Sequence, residues 1–290
     1  MKRTIQIIVL LMTVGLVHGQ EVYKRLQSAV KNLQGDEQLK SGVLAFSVGD
    51  QKTGNIVFSE NGTTGLPAGS TQKVFTSIAS LETLKGDYRY KTTLAYSGNV
   101  VDGILNGKLM IDGAGDPTLG SWRYSDTKEQ VILNRWIKAI KQAGIRRING
   151  DIIISNSWGS YTVPGGWIWD DIGNYYGAGA TSVNWRENQY DLKLKSGSTG
   201  SKVAIVATNP PLYDVNLVSE LTGGKAGSGD NAYIYLGPYS NIGYVRGTIP
   251  PNQNSFTVSG SFPDPAHQLK RALEEELKKQ GIQYTNDSGD

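Results

Sequence analysis

The chain has 290 residues, of which 38% are hydrophobic and 19% charged, a composition that indicates a folded protein and excludes intrinsic disorder. Its formal net charge is only +3 and it has no long run of Lys or Arg, so we expect no nucleic-acid partner. Cysteine is absent, which excludes disulfides, thiolate metal sites and cysteine nucleophiles. With two histidines a His-rich metal site is excluded as well, and no cofactor is implied.

The first nineteen residues have the three zones of a secretory signal. Lys2 and Arg3 precede an apolar run from Ile5 to Val17, and Gly19 offers a cleavage point. The run is too short for an ordinary membrane span, and no cysteine follows it to carry a lipid. We therefore predict a signal peptide over 1–19 and a periplasmic or otherwise extracytoplasmic protein without a transmembrane anchor.

The segment after the signal predicts a helix followed by a hairpin. Apolar residues recur at helical spacing over 22–33. Gly42–Val48 and Asn55–Ser59 are predicted strands, joined by a turn over Asp50–Gly54. A Pro-containing elbow then leads to Ser70 and a predicted amphipathic helix, whose apolar face consists of Val74, Phe75, Ile78, Leu81 and Leu84.

Residues 91–263 are rich in Gly, Ser, Thr, Asn and aromatic residues, which predicts a β-rich region. One helix interrupts it, with a predicted capping box at Asp126 and Glu129 and a stop at Gly144. Ile145–Ser155 is predicted as a single strand. The apolar face of the helix consists of Val131, Ile132, Trp136, Ile137 and Ile140.

The final segment predicts another helix. Asp264 is its expected N-cap, Pro265 occupies the first helical position, and Gly281 ends it. Its buried face is predicted to contain Leu269, Ala272, Leu273 and Leu277. We expect His267, in the first turn, to be solvated.

The pattern Ser-x-x-Lys occurs three times in the chain, at Ser28–Lys31, Ser70–Lys73 and Ser125–Lys128. The first match lies inside a predicted helix, and the third straddles a predicted cap. Only Ser70 opens an apolar helix, where a lysine three residues later lies on the same face and can reach the hydroxyl proton. On this pattern Ser70 is either a nucleophile with Lys73 as its base, or an N-cap beside a solvated lysine.

The segment Leu66–Lys73 resembles the nucleophile segment of the penicillin-binding DD-carboxypeptidase/endopeptidase family typified by penicillin-binding protein 4, the class C penicillin-binding proteins. The resemblance covers nearly the whole chain after the signal and favours Ser70 as nucleophile and Lys73 as base. Further matches lie at Gly113–Leu119, Gly150–Ile153, Pro164–Trp167, Tyr176–Ala178 and Asp264–Ala266.

The resemblance implies an α+β (α/β) fold, with a serine DD-peptidase/β-lactamase-like catalytic domain interrupted by a large β-rich insert. The catalytic domain would begin at 20–90, the insert would occupy 91–263, and 264–290 would return to the catalytic domain. It also implies cleavage of D-Ala-D-Ala bonds in peptidoglycan stem peptides through an acyl-serine, and acylation by β-lactams. The oligomeric state stays open.

Two departures from the family pattern matter. Gly69 separates Pro67-Ala68 from Ser70, where the family usually has Pro-Ala directly before the serine. The family's S-x-N and K-[ST]-G segments do not follow Asp264, so we predict a truncated chain that is inactive or nearly so alone. The same short patterns occur within the insert, S-x-N at Ser182–Asn184 and K-[ST]-G at Lys195–Gly197. They leave open the alternative of a compressed site, in which these segments complete the active site within this chain.

Several weaker signals lie in the insert. The resemblance suggests that Asp171 binds the amine of a diamino acid in the stem peptide. Asp116, next to Pro117, is predicted to have a structural role, because the sequence Gly-Asp-Pro is typical of turns. Aromatic platforms can hold sugar rings, but we expect core packing for the tryptophan cluster of Trp158, Trp167, Trp169 and Trp185.

Two other functions compete with the serine peptidase. A non-enzymatic peptidoglycan-binding module would use the insert and keep the catalytic remnant as a scaffold. A β-lactamase would share the Ser-x-x-Lys helix, but a large insert after that helix is foreign to β-lactamases, so this function ranks last.

Overall fold

A computed structural model describes residues 20–159, 161 and 163–285. The predicted signal peptide, 1–19, lies outside the described residues. The chain forms two compact units, which divide between Tyr88 and Arg89. The predicted boundary of the insert lies two residues later. The assignment of 264–290 to a returning catalytic segment stays a prediction, and its described part belongs to the second compact unit.

The first unit contains the predicted helix and hairpin. Helix α1 covers residues 20–34, and strands β1, Phe46–Gly49, and β2, Ile56–Glu60, pair antiparallel. Asp50 closes the predicted turn by accepting hydrogen bonds from the backbone of residues 52 and 53. The buried centre of the unit is Phe58, whose ring contacts those of Tyr23 and Phe46. Helix α2, Gln72–Leu84, completes the unit.

The second unit begins with a five-stranded sheet. Strands β3, Thr92–Val101, and β4, Ile104–Gly113, form a long antiparallel hairpin. Strands β5, Arg147–Asn149, and β6, Ile152–Ile154, pair with β4 in parallel. Strand β14, Gln283–Thr285, pairs in parallel with β5 at the edge. Segments from both ends of the unit thus share one sheet.

The single strand predicted over 145–155 is two strands, separated at Gly150. Gly150 lies so close to β4 that a Cβ atom there would come within 1.9 Å of the carbonyl oxygen of Gly107. Its φ of +143° also lies in the region that favours glycine. The close approach to β4 divides the predicted strand into β5 and β6.

Helices α3, Glu129–Gln142, and α5, Pro265–Lys279, belong to the second unit and contact each other. Asp264 caps α5 as predicted, by accepting a hydrogen bond from the backbone of His267 over 3.0 Å. The predicted capping box of α3 is wrong, because the Glu129 carboxylate pairs with Arg186 instead. The buried face of α3 consists of Ile132, Leu133, Trp136, Ile137 and Ile140.

Two smaller sheets lie between α3 and α5 in the sequence. The first is antiparallel, with β7 at its centre; its strands are β7, Gln189–Lys195, β8, Ala204–Asn209, and β13, Phe256–Ser261. The second is built around β12; its strands are β9, Asn216–Ser219, β10, Thr222–Gly223, β11, Asn231–Tyr235, and β12, Ile242–Ile249. The molecule is therefore a mixed α+β protein with several sheets, as predicted.

Candidate active site

Ser70 lies in a short 3-10 helix, Gly69–Thr71, that runs directly into α2. Gly69 has a φ of +52°, in the left-handed region that favours glycine. A side chain at this position would meet no atom within 4 Å. Glycine therefore suits this position because of its backbone conformation, and not because a neighbouring atom excludes a side chain.

The structure brings Ser70 and Lys73 together. Lys73 Nζ donates a hydrogen bond to Ser70 Oγ over 2.9 Å, and both side chains are exposed. If the amine is neutral, the same contact lets it accept the hydroxyl proton, which is what a nucleophile and its base require. The geometry fits the predicted pair, and the two roles stay predictions.

The other two Ser-x-x-Lys matches have ordinary structural surroundings. Ser28 lies inside α1, and Ser125 Oγ donates to the carboxylate of Asp126 over 2.5 Å. Ser125 precedes α3 but is bonded to the neighbouring carboxylate, whereas Ser70 Oγ accepts its hydrogen bond from Lys73. Ser70 keeps its distinction in the folded chain.

The S-x-N and K-[ST]-G text matches of the insert also have structural partners. Ser182 and Asn184 are buried, and Ser182 Oγ donates to the carbonyl of Ser155 over 3.1 Å. Asn184 Nδ2 donates to the carbonyl of Gly115 over 3.1 Å. Ser196 Oγ donates to a backbone carbonyl over 2.7 Å. Because these side chains hold loops together, they argue against the compressed site.

Asp171 lies in the one-turn helix α4, Trp169–Ile172, and is half-buried. Burial and then the neighbouring Asp171 carboxylate raise the pKa of Tyr176 to about 12. The carboxylate of Asp171 therefore lies beside the Tyr176 hydroxyl, at the surface of the second unit. No observation assigns it a ligand, and its role stays a prediction.

Asp116 has the structural role that the sequence predicts. Its Oδ1 accepts hydrogen bonds from the backbone N–H and the hydroxyl of Thr118, over 2.8 and 2.7 Å. Within the described ranges, the acidic and histidine side chains form no group of three that could hold a metal ion. In the same ranges no helix is long and apolar enough to span a membrane.

Comparison with known families identifies the chain. The model of the D-Ala-D-Ala carboxypeptidase 3 (S13) family matches residues 26–289. The chain belongs to the S13 family. The match includes Ser70 and Lys73, together with most of the second unit.

Two curated relatives are distant in sequence. The chain is 23% identical to the D-alanyl-D-alanine carboxypeptidase DacB of Haemophilus influenzae, covering 79% of this chain and 46% of DacB. It is 26% identical to the D-alanyl-D-alanine carboxypeptidase of Actinomadura sp., covering 88% of this chain and 47% of that enzyme. The chain spans about half the length of the curated relatives that it matches.

Solved structures confirm the fold. The crystal structure of penicillin binding protein 4 (dacB) from Haemophilus influenzae matches with a TM-score of 0.66 and 23% identity, covering 83% of this chain and 51% of that one. A second structure of the same protein, complexed with a β-lactam, gives a TM-score of 0.61 at 21% identity, covering 84% and 50% of the two chains.

The tryptophan cluster of this S13 chain divides between core and surface. Trp185 is 1% exposed and stacks on Trp136, with ring centroids 6.2 Å apart, so the expected core packing is right for this residue. It is wrong for Trp158, Trp167 and Trp169, which are exposed. Two exposed tyrosines, Tyr233 on β11 and Tyr244 on β12, were not among the predicted site residues; each alternates with buried or half-buried neighbours along its strand.

Proposed function

We propose that this chain is the first half of a serine-type D-Ala-D-Ala carboxypeptidase or DD-endopeptidase that acts on peptidoglycan stem peptides outside the cytoplasm. The observation that supports this best is the 2.9 Å hydrogen bond between Lys73 Nζ and Ser70 Oγ at the start of α2. Membership of the S13 family supports the D-Ala-D-Ala bond as the one that is cleaved. The predicted export signal over 1–19 supports the location.

In the first step Ser70 Oγ attacks the carbonyl carbon of the penultimate D-Ala, and neutral Lys73 accepts the hydroxyl proton. The C–N bond then breaks, and the same proton passes to the leaving amine of the terminal D-Ala. Water hydrolyses the acyl-serine and restores the hydroxyl of Ser70. A β-lactam would follow the first step, with its ring amide as the bond that breaks.

The start of α2 favours this chemistry electrostatically. Negative charge develops on the substrate carbonyl oxygen, and backbone N–H groups at a helix start stabilise such charge. The N–H of Ser70 would supply one donor of an oxyanion hole. A second donor would come from the K-[ST]-G strand of the parent protein.

The described part of the chain leaves α2 exposed. On its apolar face, Phe75 is 67% exposed and Leu81 is 60% exposed. The other residues of this face, Val74, Ile78 and Leu84, are exposed too. Lys73 is exposed as well, whereas an activated catalytic lysine is buried in an apolar pocket or lies beside another cation. Loss of one oxyanion donor typically costs about 2.7–4 kcal/mol. We propose that this chain alone acylates very slowly, and that segments of the longer parent complete the site.

Asp171 would bind the amine of a diamino acid in the stem peptide. Its carboxylate lies at the surface beside Tyr176, in the segment that follows Pro164–Trp167. In the parent enzyme, Asp171→Asn should raise the KM for a stem peptide with a free side-chain amine. The KM for the same peptide with that amine acetylated should not change.

The proposed function is tested with a labelled penicillin and intact-mass measurement. The 290-residue chain, the longer parent and the parent's Ser70→Ala variant are incubated side by side. We expect an adduct with the parent, none with its Ser70→Ala variant, and little or none with the 290-residue chain. A Lys73→Met variant should slow acylation of the parent by several orders of magnitude.

Each contrary outcome has a definite meaning. Rapid acylation of the 290-residue chain would contradict the incomplete site. A parent that forms no adduct at all would leave the non-enzymatic peptidoglycan-binding module as the better function. An adduct that persists in Ser70→Ala would contradict the nucleophile.

A further inference from the structure

Three tyrosines of the second unit lie on one face of the sheet around β12, where Tyr233 and Tyr244 are exposed and Tyr235 is half-buried. Strands β11 and β12 place Tyr233 opposite Arg246 and Tyr235 opposite Tyr244. Side chains alternate between the two faces of a strand, so these four lie on the same face. Ile234, which is buried, lies on the other face. The outer face is therefore lined by rings and a guanidinium group.

Trp169 extends this face beyond the edge of the sheet. Its ring centroid lies 6.2 Å from that of Tyr235, at an interplanar angle of 43°. Its outer ring atoms lie above Gly237, where a Cβ atom would come within 3.3 Å of them. Trp169 is thus held on two sides and is still 55% exposed. A ring that is fixed before binding loses little entropy when a ligand stacks on it.

Arg246 lies between the tyrosines and is itself paired. Its guanidinium carbon lies 5.3 Å from the ring centroid of Tyr235 and 5.2 Å from that of Tyr244. Its Nε donates to Glu220 over 2.5 Å, which balances its charge. The pair adds planar hydrogen-bonding groups to the face without adding net charge.

We propose that this surface binds the glycan strand of peptidoglycan. It is called the aromatic row here and consists of Trp169, Tyr233, Tyr235, Tyr244 and Arg246 with its partner Glu220. The exposed rings of Trp169, Tyr233 and Tyr244 suit the C–H faces of pyranose rings, and the Arg–Glu pair suits their hydroxyl and acetamido groups. With strands about 4.8 Å apart, the row extends over roughly 10–15 Å, which accommodates a few sugar rings.

The charges of the row favour a glycan over a polyanion. Arg246 is compensated by Glu220, and Asp170 and Asp171 lie in the same short helix as Trp169. A phosphate-rich polymer would meet these carboxylates unfavourably. The rings also lie on the surface of a sheet, whereas the aromatic anchors of protein interfaces fill enclosed pockets. The choice of peptidoglycan among polysaccharides rests on the proposed function.

The test measures binding of the 290-residue chain to a hexamer of β-1,4-linked N-acetylglucosamine, which carries no peptide. Calorimetry gives the affinity, and quenching of tryptophan fluorescence reports contact with the row. Trp169→Ala and Tyr244→Ala should each weaken binding by about five- to tenfold, and the double variant should abolish it. Tyr244→Phe keeps the ring and should bind within about twofold of the unchanged chain.

Two controls separate this surface from other effects. Tyr96 on β3 is 47% exposed in the same unit, so Tyr96→Ala matches Tyr244→Ala in chemistry and should leave binding unchanged. Ser70→Ala should also bind normally, since the nucleophile plays no part in glycan recognition. Far-UV circular dichroism and thermal unfolding confirm that each variant is folded, and Trp169→Phe replaces Trp169→Ala if that variant is not.

The proposal is overturned if the chain does not bind the hexamer, or if the alanine variants bind it as well as the unchanged chain. Binding to stem peptide alone would overturn it and leave the proposed catalysis intact. A change of sedimentation coefficient in Tyr244→Ala, without a change in glycan affinity, would assign the row to contacts between two copies. Failure of penicillin acylation in the parent would contradict the proposed function but not hexamer binding.

Discussion

The two compact units differ in how their helices are used. In the second unit α3 and α5 bury their apolar faces in a continuous core that also contains Leu192 and Trp185. In the described part of the first unit the buried apolar side chains are Val30 and Phe58, and α2 exposes its whole apolar face. The α-helix that directly follows the proposed nucleophile is therefore the least buried α-helix in the described chain. The large hydrophobic core is in the second unit, whereas the proposed nucleophile is in the first.

The largest expected effect is on the stability of the second unit. Trp185→Ala should lower its free energy of unfolding by about 3–5 kcal/mol, because the ring is buried and its removal leaves a cavity. All six tryptophans lie beyond residue 88, so their fluorescence during urea unfolding reports this unit alone. A loss below 1 kcal/mol would show that the core tolerates the cavity.

The exposed face of α2 gives a contrasting prediction. The double variant Phe75→Gln and Ile78→Gln should change the stability of the 290-residue chain by less than about 0.5 kcal/mol, since both side chains are exposed. It should also bind less of an apolar dye. In the longer parent, where we expect this face to be covered, the same variant should cost about 2–5 kcal/mol. Equal effects in both proteins would contradict the contrast between the units.

A smaller gain of stability is expected in the core of the second unit. The Tyr190 hydroxyl is buried and has no hydrogen-bond partner among the described residues, and burial raises its pKa. Tyr190→Phe removes this unpaired group and keeps the ring stacked on Phe262. We expect a gain of about 1 kcal/mol in the urea titration. A loss would indicate that a water molecule pairs with the hydroxyl.

The smallest expected effect depends on pH. Lys270 Nζ donates to Asp151 Oδ1 over 2.8 Å and holds the pKa of Asp151 below its ordinary value. A depressed carboxyl pKa stabilises the fold above the unfolded value of about 3.9, and this stabilisation is lost as the pH falls through the folded value. Lys270→Met should cost about 0.5 kcal/mol at pH 7, since the pair is partly exposed. The cost should vanish as the pH falls through the lowered pKa of folded Asp151, and a cost that is independent of pH would assign it to packing.

Local signals in the sequence predicted much of the fold. The apolar periodicity of α3 and α5 identifies their buried faces, and Asp264 marks a helix start because its cap is made within one turn. The hairpin of the first unit follows from a turn that Asp50 closes with its own neighbours. The Ser70–Lys73 contact is equally local, since a helix brings residues three apart onto one face.

The features that the sequence did not predict depend on contacts between residues far apart in the chain. Glu129 pairs with Arg186, which lies 57 residues away, so its predicted local cap does not form. The exposure of Trp169 depends on Tyr235 and Gly237, which approach it only in the folded chain. Composition identifies a tryptophan-rich segment, but it does not tell which ring faces stay uncovered.

The contact between Gly107 and Gly150 also bears on how this part of the molecule can vary among relatives. Each glycine lies against backbone that leaves no space for a Cβ atom: Gly150 faces the carbonyl of Gly107, and Gly107 faces the carbonyl of Ser97. A substitution at either position would push strands apart rather than fill a gap. In an alignment of S13 sequences each of the two positions should therefore be glycine, whatever residue stands at the other.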